Sequence, residues 1–161
     1  MIFTETKING VYIIEPELLT DEMGFFEWSF CKEEFRKHGL ETDIVQCNIS
    51  YNKKKGTPRG IHYQAASHDK EKIISTTQGS IYDIVVDMRK DSLTYRHWHP
   101  EKLSADSHRM LYIPEGCAHG FQTLEDDSVV NYQIGEYYHP ECTRGIRWND
   151  PAIGIIWPLP V

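Results

Sequence analysis

The stretch "KIISTTQGSIYDIVVDM", Lys72 to Met88, decides how the chain is read. Two runs rich in Ile, Val, Thr and Tyr flank a Gln-Gly break, and β-branched or aromatic residues on either side of a glycine turn predict strand, turn, strand. In the second run, two-residue alternation puts Ile81, Asp83 and Val85 on one face, so a carboxylate sits among apolar neighbours and needs a partner to stay charged. Similar runs recur outward in both directions: "VYIIE", "TDIVQCNIS", "RGIHYQ", "RMLYI", "GFQTL", "SVVNYQI" and "RGIRW", separated by Asn-Gly, Lys-Gly and Pro-Glu-Gly turns. So many short strands predict an all-β sandwich or barrel. One helix is expected over 29–38, with Glu33 and Glu34 early, Arg36, Lys37 and His38 closing it, and Gly39 free to take a left-handed stop. It is a peripheral element. No Gly-rich phosphate loop on a βαβ unit and no nucleophile elbow is present, which removes Rossmann and hydrolase readings.

Length and charge set the remaining bounds. The 161 residues are enough for one domain, 1–161, and contain no linker, repeat or low-complexity tract. A net charge of -7, from 24 acidic and 17 basic residues, gives no footprint for a nucleic-acid partner. The single basic run, "NKKKG", reads as a loop tip. The amino terminus lacks a basic segment followed by an apolar one, and apolar runs such as "IGIIW" are too short to span a bilayer, so no membrane association is expected. Cys31, Cys47, Cys117 and Cys142 stand singly without a C-x-x-C pair, as free thiols do in a reducing compartment. These features together predict a cytoplasmic protein.

Three residue types point to chemistry. In "PRGIHYQ", Pro58 to Gln64, strict alternation sends Gly60, His62 and Gln64 to one face and Arg59, Ile61 and Tyr63 to the other, a mixed pattern that indicates a polar cavity. Tyr132 alternates with Val130 and Ile134 in "SVVNYQI", placing a phenol on an apolar face, and Lys72 opens its strand. Taken singly, a sheet tyrosine belongs to a core and a lysine at a strand start is solvated. Converging in one barrel, a histidine, a tyrosine and a lysine are what is needed to remove a proton beside a carbonyl, return one, and hold the enolate between.

The stretch "IPEGCAHGF" contains Pro114, Gly116 and His119 in the pattern P-x-G-x-x-H, which resembles the second signature of the cupin barrels. The first signature of metal-binding cupins is broken here. Gln64 follows His62 where a second histidine is expected, and Lys72 stands where a carboxylate is expected. A lysine repels a divalent cation, and one or two imidazoles do not complete its coordination, so neither a metal nor another cofactor is expected in the cavity. The pair His97 and His99 with Glu101 in "HWHPE" lies outside these signatures and reads as solvated.

Together "GFF", "IVQCN", "RGIHYQ", "GSIYDIVVDMRKDSLTY", "LSADSHRMLYIPEGCAHGF" and "EYYHPECTRGIRWNDPAIGIIWP" resemble the nucleotide-sugar 3,5-epimerases typified by dTDP-4-dehydrorhamnose 3,5-epimerase, from about Gly24 to Pro158. The resemblance implies a cupin-type jelly-roll barrel that forms homodimers, with part of each nucleotide site supplied by the partner's "GFF" segment. It implies epimerisation at C3, C5 or both of a nucleoside-diphosphate 4-keto-6-deoxyhexose, in deoxysugar (rhamnose) and polysaccharide biosynthesis. His62 matches the family's general base, Tyr132 its general acid and Lys72 the residue that stabilises the enolate oxygen. Arg59 matches the arginine on the diphosphate, and Gln46, Asn48, His119 and Tyr138 match cavity-lining positions. A 3,4-ketoisomerase passing through the same enediolate, and a cupin that binds a sugar nucleotide without turning it over, remain open alternatives.

Some positions depart from the family pattern. Around Phe25 and Phe26, Met23 and Trp28 replace an arginine and a glutamate that touch the nucleotide, Cys47 replaces an aspartate, and Gln133 replaces a lysine. The family's histidine-orienting aspartate lies in a tail beyond the position of Val161, and Asp83 is the expected substitute for orienting His62.

Overall fold

The computed structural model describes residues 1–40 and 42–161. Among them thirteen strands run in chain order: β1 (Ile2–Glu5), β2 (Tyr12–Glu15), β3 (Leu19–Asp21), β4 (Gly24–Phe26), β5 (Gln46–Asn52), β6 (Pro58–Gln64), β7 (Lys72–Gln78), β8 (Ser80–Asp87), β9 (Trp98–Ser104), β10 (Met110–Ile113), β11 (Cys117–Thr123), β12 (Ser128–Ile134) and β13 (Thr143–Gly145). They form a six-stranded sheet, β1-β2-β10-β7-β12-β5, a five-stranded sheet, β13-β6-β11-β8-β9, and the separate hairpin β3-β4. All pairings are antiparallel. This is the jelly roll of the cupin barrels that the signature motif implied.

The two runs of the opening stretch do not pair with each other. β7 lies in the six-stranded sheet and β8 in the five-stranded one, so the Gln-Gly break carries the chain from one layer to the other. Gly79 makes that crossing with φ +71°, and a β-carbon there would stand 2.5 Å from Ser128 Oγ. Ile74, Ile81, Val85, Leu111, Phe121 and Val130 fill the space between the sheets. β8 is buried along almost its whole length because its outer face is covered too. There Ile61, Ile84, Val86 and Ala118 pack beneath Trp98 of β9 and Ile153, Ile155 and Trp157 of the carboxyl-terminal segment.

The helix α1 spans Lys32–Lys37, shorter than the expected 29–38. Cys31 stands at its N-cap in extended conformation without a side-chain bond, so nothing nucleates the turn earlier. Gly39 takes the left-handed stop at φ +73° as expected. Phe35 anchors α1 to the outside of the six-stranded sheet against Ile14, Ile73, Met110 and Tyr112. No helix among the described residues is long and apolar enough to cross a membrane. The four cysteines are unpaired.

Candidate active site

A cavity of about 560 Å³ opens at one end of the barrel, within the range of small-molecule sites. Its opposite walls come from the two sheets: β6 and β11 bring Arg59, His62 and His119, while β5, β7 and β12 bring Gln46, Asn48, Lys72 and Tyr132. Tyr138 closes the rim after β12. Eight residues selected from the sequence thus converge on one space.

Arg59 reaches it through a break in alternation. Regular pleating puts Arg59 and His62 on opposite faces, yet both line the cavity. The reason is an irregularity in the β6–β11 ladder, where His119 pairs with His62 but Phe121 pairs with Arg59. The two backbones touch there: a β-carbon on Gly60, at φ +93°, would lie 2.6 Å from His119 O, and one on Gly120 would lie 2.7 Å from Arg59 O. Only glycine fits at either position. Arg59 Nε then donates to Asn52 Oδ1 at 3.0 Å, which steadies the guanidinium at the cavity edge.

The electrostatics suit proton transfer. His62 is exposed to the cavity, and among the described residues no side chain hydrogen-bonds its ring. Partial burial, with the charges of Lys72 and His119, lowers its pKa and favours the neutral imidazole a base requires. Burial lowers Lys72 as well, and Asp69 is the leading charge that opposes this. Tyr132 is shifted in the other direction: burial first, then the charge of Asp83, raises its pKa strongly, so it keeps its proton until a strong base appears.

Asp83 has a different place from the one expected. It is fully buried between the sheets and its Oδ2 lies 2.9 Å from His119 Nε2, so it serves His119 rather than His62. Register explains this, since Asp83 pairs across the ladder with Phe121, two residues from His119, and His62 lies one strand further on. Burial raises the Asp83 pKa and the His119 ring opposes the rise. The His119 ring in turn meets Tyr132 edge-on at 5.8 Å, which links Asp83 to the phenol through one imidazole.

Met23, Phe25, Phe26 and Trp28 do not line the cavity of their own chain. Met23, Phe25 and Phe26 stand 93%, 55% and 60% exposed on and beside the β3–β4 hairpin, and Trp28 is also exposed. The "HWHPE" residues divide: His97 is exposed, as expected. Rather than being solvated, His99 and Glu101 face inward on β9, with His99 Nε2 3.6 Å from Glu101 Oε2 and Glu101 held by Arg109. Sequence reading missed Asp69, a cavity residue whose carboxyl accepts from Gly116 N–H and is raised to about 6, chiefly by burial. A lone loop aspartate has no pattern that separates it from a solvated one.

Comparison with known proteins agrees with this geometry. The dTDP-4-dehydrorhamnose 3,5-epimerase family model matches residues 5–161. A dTDP-4-dehydrorhamnose 3,5-epimerase of Methanothermobacter thermautotrophicus is 45% identical over 157 residues, covering 98% of this chain and 84% of the relative. The crystal structure of dTDP-4-dehydrorhamnose 3,5-epimerase from Bacillus anthracis, with TDP and PPi bound, superposes with a TM-score of 0.96 at 41% identity, over 99% of this chain and 91% of that one. A 3'-monoepimerase from Streptomyces bikiniensis, in complex with dTDP-quinovose, superposes with a TM-score of 0.89 at 29% identity, over 95% of this chain and 77% of that one. With cavity, fold and sequence in agreement along its length, the chain belongs to the dTDP-4-dehydrorhamnose 3,5-epimerase family.

Proposed function

We propose that this protein inverts one or both of the carbons flanking the ketone of a dTDP-linked 4-keto-6-deoxyhexose, through an enolate and without redox chemistry. The observation that carries the reading is the placement of an imidazole and a phenol on opposite walls of one cavity, His62 on β6 and Tyr132 on β12, with the Lys72 ammonium on the same cavity. The ketone acidifies the C3 and C5 protons. Neutral His62 takes one of them and becomes imidazolium. The electron pair moves onto the carbonyl oxygen, where Lys72 meets the developing charge. Tyr132 then donates its proton to the same carbon from the other face, and solvent resets the imidazolium and the phenolate. A proton acceptor and a proton donor on opposite walls favour inversion over moving the carbonyl, which needs no group on the far face.

Arg59, fixed by Asn52, is placed to hold the diphosphate with a planar guanidinium. The exposed Met23, Phe25 and Phe26, on a hairpin clear of their own cavity, fit a homodimer in which each hairpin completes the nucleotide end of the partner's site. The test is incubation with dTDP-4-keto-6-deoxyglucose in deuterium oxide, followed by NMR. Deuterium at C3 or C5 with inversion supports epimerisation. A displaced carbonyl supports a ketoisomerase, and no exchange with any 4-keto nucleotide sugar supports a binding protein.

A further inference from the structure

Beside the cavity mouth, the loop after β6 and the segment after β12 bring His68, Glu136 and His139 together, with one ligand-capable atom from each lying within 4.8 Å of the others. From the arrangement of these groups we infer that this cluster is a divalent transition-metal site of the zinc type, separate from the proton-transfer residues and independent of the proposed reaction. His68 Nδ1 lies 3.4 Å from Glu136 Oε2, and His139 Nε2 lies 3.9 Å from Glu136 Oε1. Ligand bonds of about 2.0–2.1 Å in tetrahedral geometry place donor atoms roughly 3.3 Å apart, so small side-chain rotations convert the cluster into a coordination shell. The two rings are stacked, with centroids 3.7 Å apart and planes 28° apart, and splaying them from that stack aims both nitrogens at one point.

Two further contacts show that the donors are organised rather than merely near each other. His139 Nδ1 lies 3.2 Å from Glu141 Oε1. A carboxylate accepting that N–H leaves Nε2 with its lone pair free, and Nε2 is the atom that faces Glu136; metal-binding histidines are commonly oriented in this way. The second contact is a clamp made by Gln64. Its Nε2 donates to His68 O at 2.6 Å and Tyr137 O at 3.1 Å, and its Oε1 accepts from His139 N at 2.6 Å, so one side chain pins the backbones that carry both histidines. Glu136 is itself fixed, because Tyr137 N–H donates to its Oε1 at 2.7 Å. Two imidazoles and a carboxylate suit zinc, cobalt or nickel rather than magnesium or calcium, which prefer all-oxygen shells. Bound there, the ion fastens the two segments to each other at the mouth of the cavity.

The protein, dialysed against a chelator, is titrated with Co²⁺ and then Zn²⁺, following the cobalt d–d absorption, calorimetric heat and melting temperature. One ion per chain is expected, with a tetrahedral cobalt spectrum that zinc abolishes and a melting temperature that rises with metal. His68→Ala and His139→Ala should each remove saturable binding, while His108→Ala, which disrupts the separate His108–Glu27 pair, should leave it intact. Glu141→Gln, at a side chain 67% exposed and so harmless to folding, should weaken affinity by about 10- to 100-fold, as loss of an orienting carboxylate does. Absence of saturable binding by the wild type, binding that survives His68→Ala with His139→Ala, or an affinity indifferent to Glu141→Gln overturns the assignment.

Discussion

Replacing His62 with alanine separates chemistry from folding unusually well in this site. The side chain is exposed to the cavity and its ring has no hydrogen-bond partner among the described side chains, so its removal leaves no buried group unsatisfied and no void. A stability change within about 0.5 kcal/mol is expected, as for surface substitutions that touch no special feature. The nucleotide anchor is spared, because Arg59 is held by Asn52 rather than by His62. A positioned general base contributes about 10²- to 10⁴-fold. At 1.36 kcal/mol per decade, the variant loses roughly 2.7 to 5.4 kcal/mol of transition-state stabilisation. The assay is the initial rate of deuterium entry at C3 and C5 of dTDP-4-keto-6-deoxyglucose by NMR, with dTDP affinity and urea denaturation measured on the same preparation. Exchange at the wild-type rate by a folded, dTDP-binding His62→Ala protein would refute the assignment of His62 as base.

The other expectations can be tested with the same substrate and protein. Tyr132→Phe should still exchange solvent deuterium but lose inversion, since proton removal survives and delivery from the opposite wall does not; unchanged inversion removes Tyr132 from the acid role. Because partial burial, Lys72 and His119 depress the His62 pKa, the acid limb of kcat/KM should have its midpoint below the ordinary histidine value of about 6.5. Lys72→Met should cut turnover and also move that limb upward, as the nearby cation no longer penalises imidazolium; a fixed limb contradicts the coupling. Asp83→Leu, which removes the buried partner of His119 Nε2, should cost about 1–3 kcal/mol in urea denaturation, with Asp83→Asn costing less because an acceptor remains. Prolonged chelation should leave exchange and inversion unchanged, since Lys72 and Gln64 stand where a cavity metal would need ligands; loss of activity restored by one ion per chain would contradict this.

Much of the protein was legible in its sequence because the relevant rules are local. Two-residue alternation marked the strands, and the face shared by Ile81, Asp83 and Val85 is the inner face of β8, with Asp83 fully buried. The same rule placed Tyr132 against the core, and short motifs in order along the chain named the family and most of the cavity. Pairing between distant segments, by contrast, depends on the whole fold. The Gln-Gly break looks like any strand turn, yet here it crosses between sheets, with β7 paired to β10 and β12 and β8 paired to β11 and β9. Alternation put Arg59 on the wrong face because the β6–β11 irregularity, set by glycines that touch across two strands, is invisible in either strand alone. Asp83 belonged to an apolar face by sequence, but only the register of β11 on β8 decided that its partner is His119 and not His62. The His68, Glu136 and His139 cluster had no motif at all, for it exists only where Gln64 holds together two segments that lie far apart in the sequence.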